Sequence, residues 1–275
     1  MTRALETIRR LRGPSARFWR FLFGHRQAAA APLADPLHCD VPRLRNAEIA
    51  AVYNAQRIAG DFYEFQRVGS NRMLFGLLDA AGRRADTRHI LIAAQSTFRT
   101  LVPRLFAGDD FNEADAMMEL CHQMNRTILR VGGIHSCPAF FGCYNEDLGT
   151  VCYANAGYTP GLLRDKTGIT LLEATGLPLG LFSHATQSAS PCALVPGAAL
   201  LVVSRGLVEA EYNGEEFGLQ GVRETLLRAA APTAKDLCLD TLDAAQTFTR
   251  VPPTHNDMTA LALVRRVSSE RARTR

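Results

Sequence analysis

Several features that would assign the chain to a specialised class are missing from its sequence. No apolar run approaches the ~20 residues that a membrane-spanning helix needs. The 21 glycines and 13 prolines follow no period, which excludes a collagen-like chain. No Cys-x-x-Cys pair occurs, and the cluster at 135–137 (His-Ser-Cys) offers too few ligands for a structural zinc site. The remaining composition, 47% hydrophobic and 21% charged over 275 residues, is that of an ordinary globular protein.

Cysteine and charge add two further expectations. The seven cysteines are odd in number and several lie among apolar residues, which predicts free buried thiols and a cytoplasmic location. Residues 1–26 contain seven arginines and one glutamate, and residues 265–275 contain five arginines and one glutamate. Because the net charge is only +4, the body between these ends is acidic. The basic pI therefore gives no indication of nucleic-acid binding.

The ends also set the expected domain boundaries. Residues 1–36 read as a basic arm with an Ala/Pro linker, residues 37–267 as one folded body, and residues 268–275 as a basic tail. The arm carries aromatic residues at 18–23 and is broken by Gly13-Pro14. It is either a peripheral membrane contact or a tail or segment docked on a partner. The second interpretation is favoured because the arm is short and broken.

Strand and helix patterns alternate along the body. Apolar runs typical of buried strands occupy 73–78, 198–204 and 258–264. Helical spacing occurs over 87–106, 112–131, 218–231 and 234–249, with Asn112 as the expected N-cap of the second helix. Hairpins are predicted around the turns 145–149 and 165–168. Hairpins imply antiparallel sheets, so the pattern favours an α+β fold, either a four-layer αββα sandwich or a two-layer sheet covered by helices.

Acidic residues stand where predicted strands begin or end. Asp61 lies near a strand start, Asp79 follows the strand at 73–78, and Asp257 precedes the last strand. Carboxylate oxygens are preferred ligands of hard divalent cations. Two such ions about 3.5–4 Å apart can bind a phosphate and lower the pKa of a bound water. Each residue alone is weak evidence, since Asp is also common in turns.

Seven sequence blocks in order resemble the metal-dependent PPM protein phosphatases, in their bacterial SpoIIE/RsbU branch. The blocks are AGDFYEF at 59–65, LDAAGRR at 78–84, YANAGYTPGLL at 153–163, TGLPLGLF at 175–182, VSRGLVEAEY at 203–212, EFGLQGV at 216–222 and NDMTALAL at 256–263. The resemblance covers about residues 45–266. It implies an αββα sandwich that holds Mg²⁺ or Mn²⁺ between its sheets and hydrolyses phosphoserine or phosphothreonine with a metal-activated water. It further implies a role in sigma-factor regulation, with a phosphorylated regulator of the anti-sigma antagonist type as partner, and a homodimer is a further expectation.

The resemblance assigns roles to individual residues. Asp61 matches an acid of the metal centre, Asp79 the acid that bridges two ions, and the carbonyl of Ala80 a backbone ligand. Asn256 and Asp257 match the two acids of the family's last motif, so the first of them is an amide here.

The chain departs from the family pattern at four places. Arg205, followed by Gly206, replaces an aspartate, Asn256 replaces another, and Tyr158 replaces the usual histidine. The Gly-His-Gly that follows the second acid in the family is Gly-Arg-Arg at 82–84. Two lost carboxylates and one gained cation add about three units of positive charge to the site, and a guanidinium stays protonated at physiological pH. We therefore expect one ion at most, held by Asp61 and Asp79.

These departures leave two functions open: a phosphatase with weakened activity, or a catalytically inactive pseudophosphatase that binds phosphoproteins or regulates them. Arg205 can pair with Asp79, hold a phosphate through two hydrogen bonds, or extend into solvent. Pairing inside the site is favoured because the neighbouring acids remain. Glu209 is a less favoured replacement ligand, since the family has a glutamate there.

A different phosphatase chemistry is also suggested by residues 38–45, which satisfy the His-Cys-x5-Arg pattern of cysteine phosphatases. That loop needs successive backbone N–H groups curled around a phosphate at a helix N-terminus. Pro42 removes one donor and the segment contains no glycine. We interpret this match as chance.

Overall fold

Twelve strands are present in the residues that the computed structural model describes, which are 41–54, 61–82, 84–108, 111–229, 233–250 and 257–267. In chain order they are β1 Ala47–Asn54, β2 Asp61–Val68, β3 Arg72–Asp79, β4 Ala139–Asn145, β5 Thr150–Ala156, β6 Gly161–Asp165, β7 Gly168–Leu172, β8 Ser190–Ala193, β9 Ala199–Val203, β10 Glu211–Tyr212, β11 Glu215–Glu216 and β12 Met258–Arg265. Two five-stranded antiparallel sheets result, with the orders β1-β12-β9-β6-β7 and β2-β3-β4-β5-β8. We call them the β1 sheet and the β2 sheet.

Helices cover the outer face of each sheet. They are α1 Arg84–Leu105, α2 Glu113–Gly132, α3 Arg205–Val208, α4 Gly218–Arg228 and α5 Ala234–Thr249. The long helices α1 and α2 pack on the β2 sheet, whereas α4 and α5 pack on the β1 sheet. The inner faces of the two sheets pack against each other and bury residues such as Phe75, Phe140, Leu200 and Leu261. The architecture is therefore the predicted four-layer αββα sandwich.

Two glycines allow strands β3 and β4 to carry large aromatic rings on both faces. Phe75 lies directly opposite Gly142, and Gly76 lies directly opposite Phe141. A Cβ added to Gly142 would lie 2.2 Å from the ring of Phe75, and one added to Gly76 would lie 2.8 Å from the ring of Phe141. Each ring thus covers the glycine on the neighbouring strand, and no side chain larger than hydrogen fits beneath it.

The predicted elements recur with small shifts at their ends. The N-cap prediction is confirmed, because the Asn112 side chain accepts hydrogen bonds from the backbone N–H groups of Ala114 and Asp115. The sequence patterns did not predict strands β1, β8, β10 and β11 or helix α3. Strand β8 contains Pro191 and is half exposed, so it shows no apolar run. Helix α3 has only four residues, too few for a helical period to be recognised.

The chain divides into two units, Met1–Leu33 and Ala34–Arg275, and all described residues belong to the second. The arm at 1–36 and the tail at 268–275 lie outside the described residues. Their boundaries therefore stay predictions. None of the described helices is long and apolar enough to cross a membrane.

The six described cysteines are free, as predicted, and five of them are buried. Burial raises the pKa of the Cys121, Cys137 and Cys238 thiols to about 12. These thiols stay protonated at neutral pH and act as small apolar side chains in the core.

Candidate active site

The two carboxylates with the strongest sequence signal lie side by side. Asp61 opens β2 and Asp79 ends β3, and the register of the two antiparallel strands places them directly opposite each other. On β3, Phe75 and Leu77 face the core between the sheets, so alternation places Asp79 on the same inner face. Residues directly opposite in such a pair have Cβ atoms about 4.5–5.5 Å apart. The fold thus brings both acids to one end of the cleft between the sheets.

The β1 sheet supplies the facing wall of this cleft. The Thr259 hydroxyl of β12 donates a hydrogen bond to Asp61 Oδ2 over 2.9 Å. Ser204 Oγ accepts the backbone N–H of Thr259 over 2.9 Å and donates to the Asp257 carbonyl over 3.3 Å. The Tyr53 hydroxyl donates to Asp257 Oδ2 over 2.6 Å. The ends of β1, β9 and β12 therefore form a connected polar wall opposite Asp61.

Both carboxylates are held in an environment that disfavours their charge. Burial raises the pKa of Asp61 well above its usual range, and the charges of Asp79 and Asp257 add to this effect, whereas hydrogen bonds from Thr259 and Ser204 oppose it. Burial also raises the pKa of Asp79, and the charge of Arg205 opposes that shift. A bound cation would offset this effect at both carboxylates.

Arg205 stands at the rim of the cleft. It is the first residue of α3, directly after Ser204. One guanidinium nitrogen lies 3.9 Å from Asp79 Oδ2, and Nε lies 3.7 Å from Glu209 Oε1. The side chain is nevertheless 58% exposed. Arg205 thus contacts Asp79 from the solvent side. This combines two of the alternatives considered from the sequence, pairing with Asp79 and extension into solvent. Glu209 contacts Arg205.

Tyr158 contributes a hydroxyl that lacks a partner. The residue is 6% exposed, and its hydroxyl has no hydrogen-bond partner among the described residues. Burial, followed by the charges of Asp61 and Asp79, raises the pKa of this phenol far above its usual range. Tyr158 therefore lies near the two acids with an unsatisfied polar atom, and such atoms in native structures are usually satisfied by a bound group or water.

The donor set fits one hard cation better than two. Asp61 and Asp79 offer carboxylate oxygens, Ala80 follows directly in the chain, and the unsatisfied Tyr158 hydroxyl suits a site that holds a further oxygen-rich group. Among the described residues, no group of three or more His, Cys, Asp or Glu side chains converges on a point that could hold a metal. Arg205 places a positive charge 3.9 Å from Asp79 Oδ2, which opposes the binding of a second cation beside that carboxylate. Asn256, the other position where the family has an acid, lies outside the described residues.

Sequence reasoning did not identify every residue of the site. Tyr53, Ser204 and Thr259 were not singled out as polar wall residues. The missing signal is the alternation of side chains along β1, β9 and β12. Each of the three residues lies an even number of positions from an apolar residue that faces inward, as Thr259 does from Leu261. The chance interpretation of residues 38–45 is supported by Arg45, whose backbone N–H and side chain bond Glu146 and Asp147.

Removing the charge of Asp61 is expected to stabilise the metal-free protein at neutral pH. A raised pKa means that the Asp61 contribution to stability is fully present below the ordinary aspartate pKa of about 3.9 and is lost as the pH rises through the folded value. Asn still accepts the Thr259 hydrogen bond. A loss of about 1 kcal/mol lowers the melting temperature of a domain of this size by about 2–4 °C, so an unfavourable buried charge is visible in a thermal melt. In EDTA at pH 7.5, D61N should melt at least about 2 °C higher than the wild type.

The same comparison at about pH 4 should show a much smaller difference, because Asp61 then carries less charge in the wild type. The exposed residue Asp240 on α5 offers a matched control, and D240N should leave the melting temperature nearly unchanged. A lower melting temperature for D61N in EDTA at pH 7.5 would contradict the prediction, because it would show that the charged Asp61 carboxylate stabilises the folded protein.

Comparison with known proteins agrees with this geometry. The family model described as Stage II sporulation protein E (SpoIIE) matches residues 69–266, which is well over half of the chain. The chain therefore belongs to the SpoIIE family, within the SpoIIE/RsbU-like branch of the PPM-type serine/threonine phosphatases.

Two curated relatives and one solved structure illustrate the similarity. Protein IcfG of Synechocystis is 24% identical over 212 residues, covering 69% of this chain and 33% of IcfG. Phosphoserine phosphatase RsbP of Bacillus subtilis is 24% identical over 175 residues, covering 62% of this chain and 42% of RsbP. The structure of the RsbU and RsbW domains of Rv1364c from Mycobacterium tuberculosis matches with a TM-score of 0.65 and 23% identity, over 84% of this chain and 64% of that one. The chain thus matches less than half of the length of either curated relative.

Proposed function

We propose that this chain is a metal-dependent phosphatase that hydrolyses phosphoserine or phosphothreonine on a regulatory protein, with activity weakened by Arg205. The observation that carries the proposal is the directly opposed pair Asp61 and Asp79 at the end of the cleft between the sheets. The family membership and the similarity to phosphoserine phosphatase RsbP support the reaction class.

The residues proposed to hold Mg²⁺ or Mn²⁺ are Asp61, Asp79, the carbonyl of Ala80, Asn256 and Asp257. A bound divalent ion would polarise a water molecule and neutralise charge on the phosphoryl oxygens. Thr259 orients Asp61 through its hydrogen bond, and Tyr53 holds the Asp257 side chain. The wall formed by the β1 sheet thereby keeps the carboxylates directed into the cleft.

Arg205 is proposed to weaken this activity through charge. Its guanidinium lies 3.9 Å from a carboxylate oxygen of Asp79 and competes with a cation for that carboxylate. A side chain that is 58% exposed can move away at modest cost, so the competition is partial. Binding of one ion with reduced affinity is the result.

The direct test is turnover of a phosphoserine peptide in the presence of Mn²⁺. The wild type should release phosphate slowly and only with added metal, and D79N should abolish this release because it removes one of the two carboxylates that hold the ion. D240N is the matched control and should turn over like the wild type. Absence of turnover across millimolar Mn²⁺ and Mg²⁺ would overturn the proposal.

The exposed position of Arg205 favours a second candidate, a pseudophosphatase that binds phosphoproteins. A guanidinium at the rim of the cleft can hold a phosphate through two parallel hydrogen bonds without any metal. This candidate predicts that Mn²⁺ does not raise the melting temperature, since only a ligand of the native state does so. It also predicts metal-independent binding of a phosphoserine peptide that R205A abolishes.

The partner and the cellular setting follow only as proposals. A phosphorylated regulator of the anti-sigma antagonist type is the proposed partner, and the Rv1364c structure, which contains both an RsbU and an RsbW domain, is consistent with such a setting. A cytoplasmic location, a homodimer and a peripheral membrane contact through the arm at 1–36 are likewise proposed from the sequence.

A further inference from the structure

A histidine from a separate segment contacts the chain directly after Asp79. His135 Nε2 lies 2.6 Å from the carbonyl oxygen of Ala81. A carbonyl oxygen can only accept a hydrogen bond, so Nε2 carries the hydrogen and donates it. His135 lies outside the seven blocks that carry the family resemblance.

This side chain closes a short ladder that fixes the segment 79–82. The backbone N–H of Asp79 donates to the Pro138 carbonyl over 2.9 Å, and that of Ala81 donates to the Ser136 carbonyl over 3.1 Å. Beyond Ala81 the chain turns at Gly82, whose φ is +130°, before α1 begins. The imidazole therefore adds a side-chain contact to these backbone hydrogen bonds just before the chain leaves the sheet.

His135 is itself fixed from the other side. Its backbone N–H donates to the Gly180 carbonyl over 3.0 Å. The buried side chain of Asn125 on α2 accepts the N–H of Gly180 over 2.7 Å and donates to the Phe182 carbonyl over 2.9 Å. A Cβ at Gly180 would lie 2.2 Å from the His135 carbonyl oxygen, so the loop packs tightly against it. The imidazole thus extends from a rigid support.

We propose that His135 is a positioning residue for the candidate active site. By holding the Ala81 carbonyl it fixes the orientation of the peptide units between Asp79 and Gly82, and with them the directions of the Asp79 carboxylate and the Ala80 carbonyl. Groups that orient ligands in this way typically change metal affinity or activity about 10–100-fold when they are removed. The expected effect on metal binding rests on the proposed function, whereas the effect on the backbone of segment 79–82 does not.

Three variants separate the hydrogen bond from the bulk of the ring. H135F keeps a flat ring and loses the donor, H135Q keeps an N–H donor, and H122F alters an exposed histidine on α2 as the control. Calorimetric titration of Mn²⁺ should show about 10-fold weaker binding for H135F, recovery to within about threefold for H135Q, and no change for H122F. Melting temperatures establish that all three are folded. Equal affinity of H135F and the wild type would overturn the effect on the metal site.

A second readout does not depend on metal or activity. Hydrogen exchange of the Ala81 amide should be faster in H135F than in the wild type, and near the wild-type rate in H135Q and H122F. Without the hydrogen bond from residue 135 to the Ala81 carbonyl, the backbone hydrogen bonds of segment 79–82 open more often. If the wild type neither binds Mn²⁺ nor turns over, the proposed function fails, and this exchange measurement alone decides the positioning role. Unchanged exchange of Ala81 in H135F would refute that role.

Discussion

Exchanging Arg205 for aspartate, together with Asn256 for aspartate, is expected to raise the affinity for Mn²⁺ by about 100-fold or more. The exchange removes a cation 3.9 Å from Asp79 and adds two acids. Unit charges about 4 Å apart interact by about 4 kcal/mol at the effective dielectric constant near a protein surface, which is enough for such a change. Calorimetric titration of Mn²⁺ into the double variant measures it, and turnover of the phosphoserine peptide should rise in parallel.

The net charge of the whole protein must be separated from the charge of the site. R126D changes an exposed arginine of α2 by two charge units, as R205D alone does, and we expect it to leave Mn²⁺ affinity within about threefold of the wild type, since exposed distant charges are screened. The single variant R205D should give part of the gain. If R205D and R126D shift the affinity equally, Arg205 has no local role.

Replacing Gly142 by alanine is expected to destabilise the domain by about 1–3 kcal/mol, although alanine is usually tolerated in strands. The new Cβ would lie 2.2 Å from the buried ring of Phe75, which is fully enclosed between the sheets. Overpacking of a dense core costs this amount because neither ring nor strand can move freely. A lower denaturation midpoint with an unchanged m-value would show the loss.

A double-mutant cycle identifies the cause. In F75L the ring is absent, so adding G142A to F75L should cost clearly less than adding it to the wild type. The glycine at 168 is a suitable control, because a Cβ there meets nothing within 4 Å; its φ of +135° means that G168A reports backbone strain without a clash. An equal cost of G142A in both backgrounds would rule out the contact with Phe75 as the reason.

Local patterns were sufficient for most of the fold. The short apolar run at 73–78, bounded by polar residues, predicts a buried strand, and Asn112 predicts where α2 begins. The hairpin turns predict antiparallel sheets. Strand β8 was not predicted because Pro191 and the half-exposed residues around it give no strand pattern. Helix α3 was not predicted because four residues form barely one helical turn.

The residues of the candidate site were more predictable from the sequence than their arrangement in space. The order of the seven blocks pointed to Asp61 and Asp79, and the structure places them directly opposite each other. Sequence could not reveal that Arg205 contacts Asp79 from the solvent side, because exposure depends on how α3 leaves β9. The Tyr158 hydroxyl, which has no hydrogen-bond partner in the described part of the chain, and the contact from His135 also depend on packing between distant segments, which no local pattern records.

The proposed site binds one ion weakly or none, because Arg205 competes with a cation for Asp79. Calorimetric titration of Mn²⁺ into the purified wild-type chain measures both the number of ions and their affinity. We expect no more than one ion per chain, with a Kd of about 10⁻⁴ M or weaker, as for sites with few charged ligands. Two ions bound with a Kd near about 10⁻⁶ M would contradict the account.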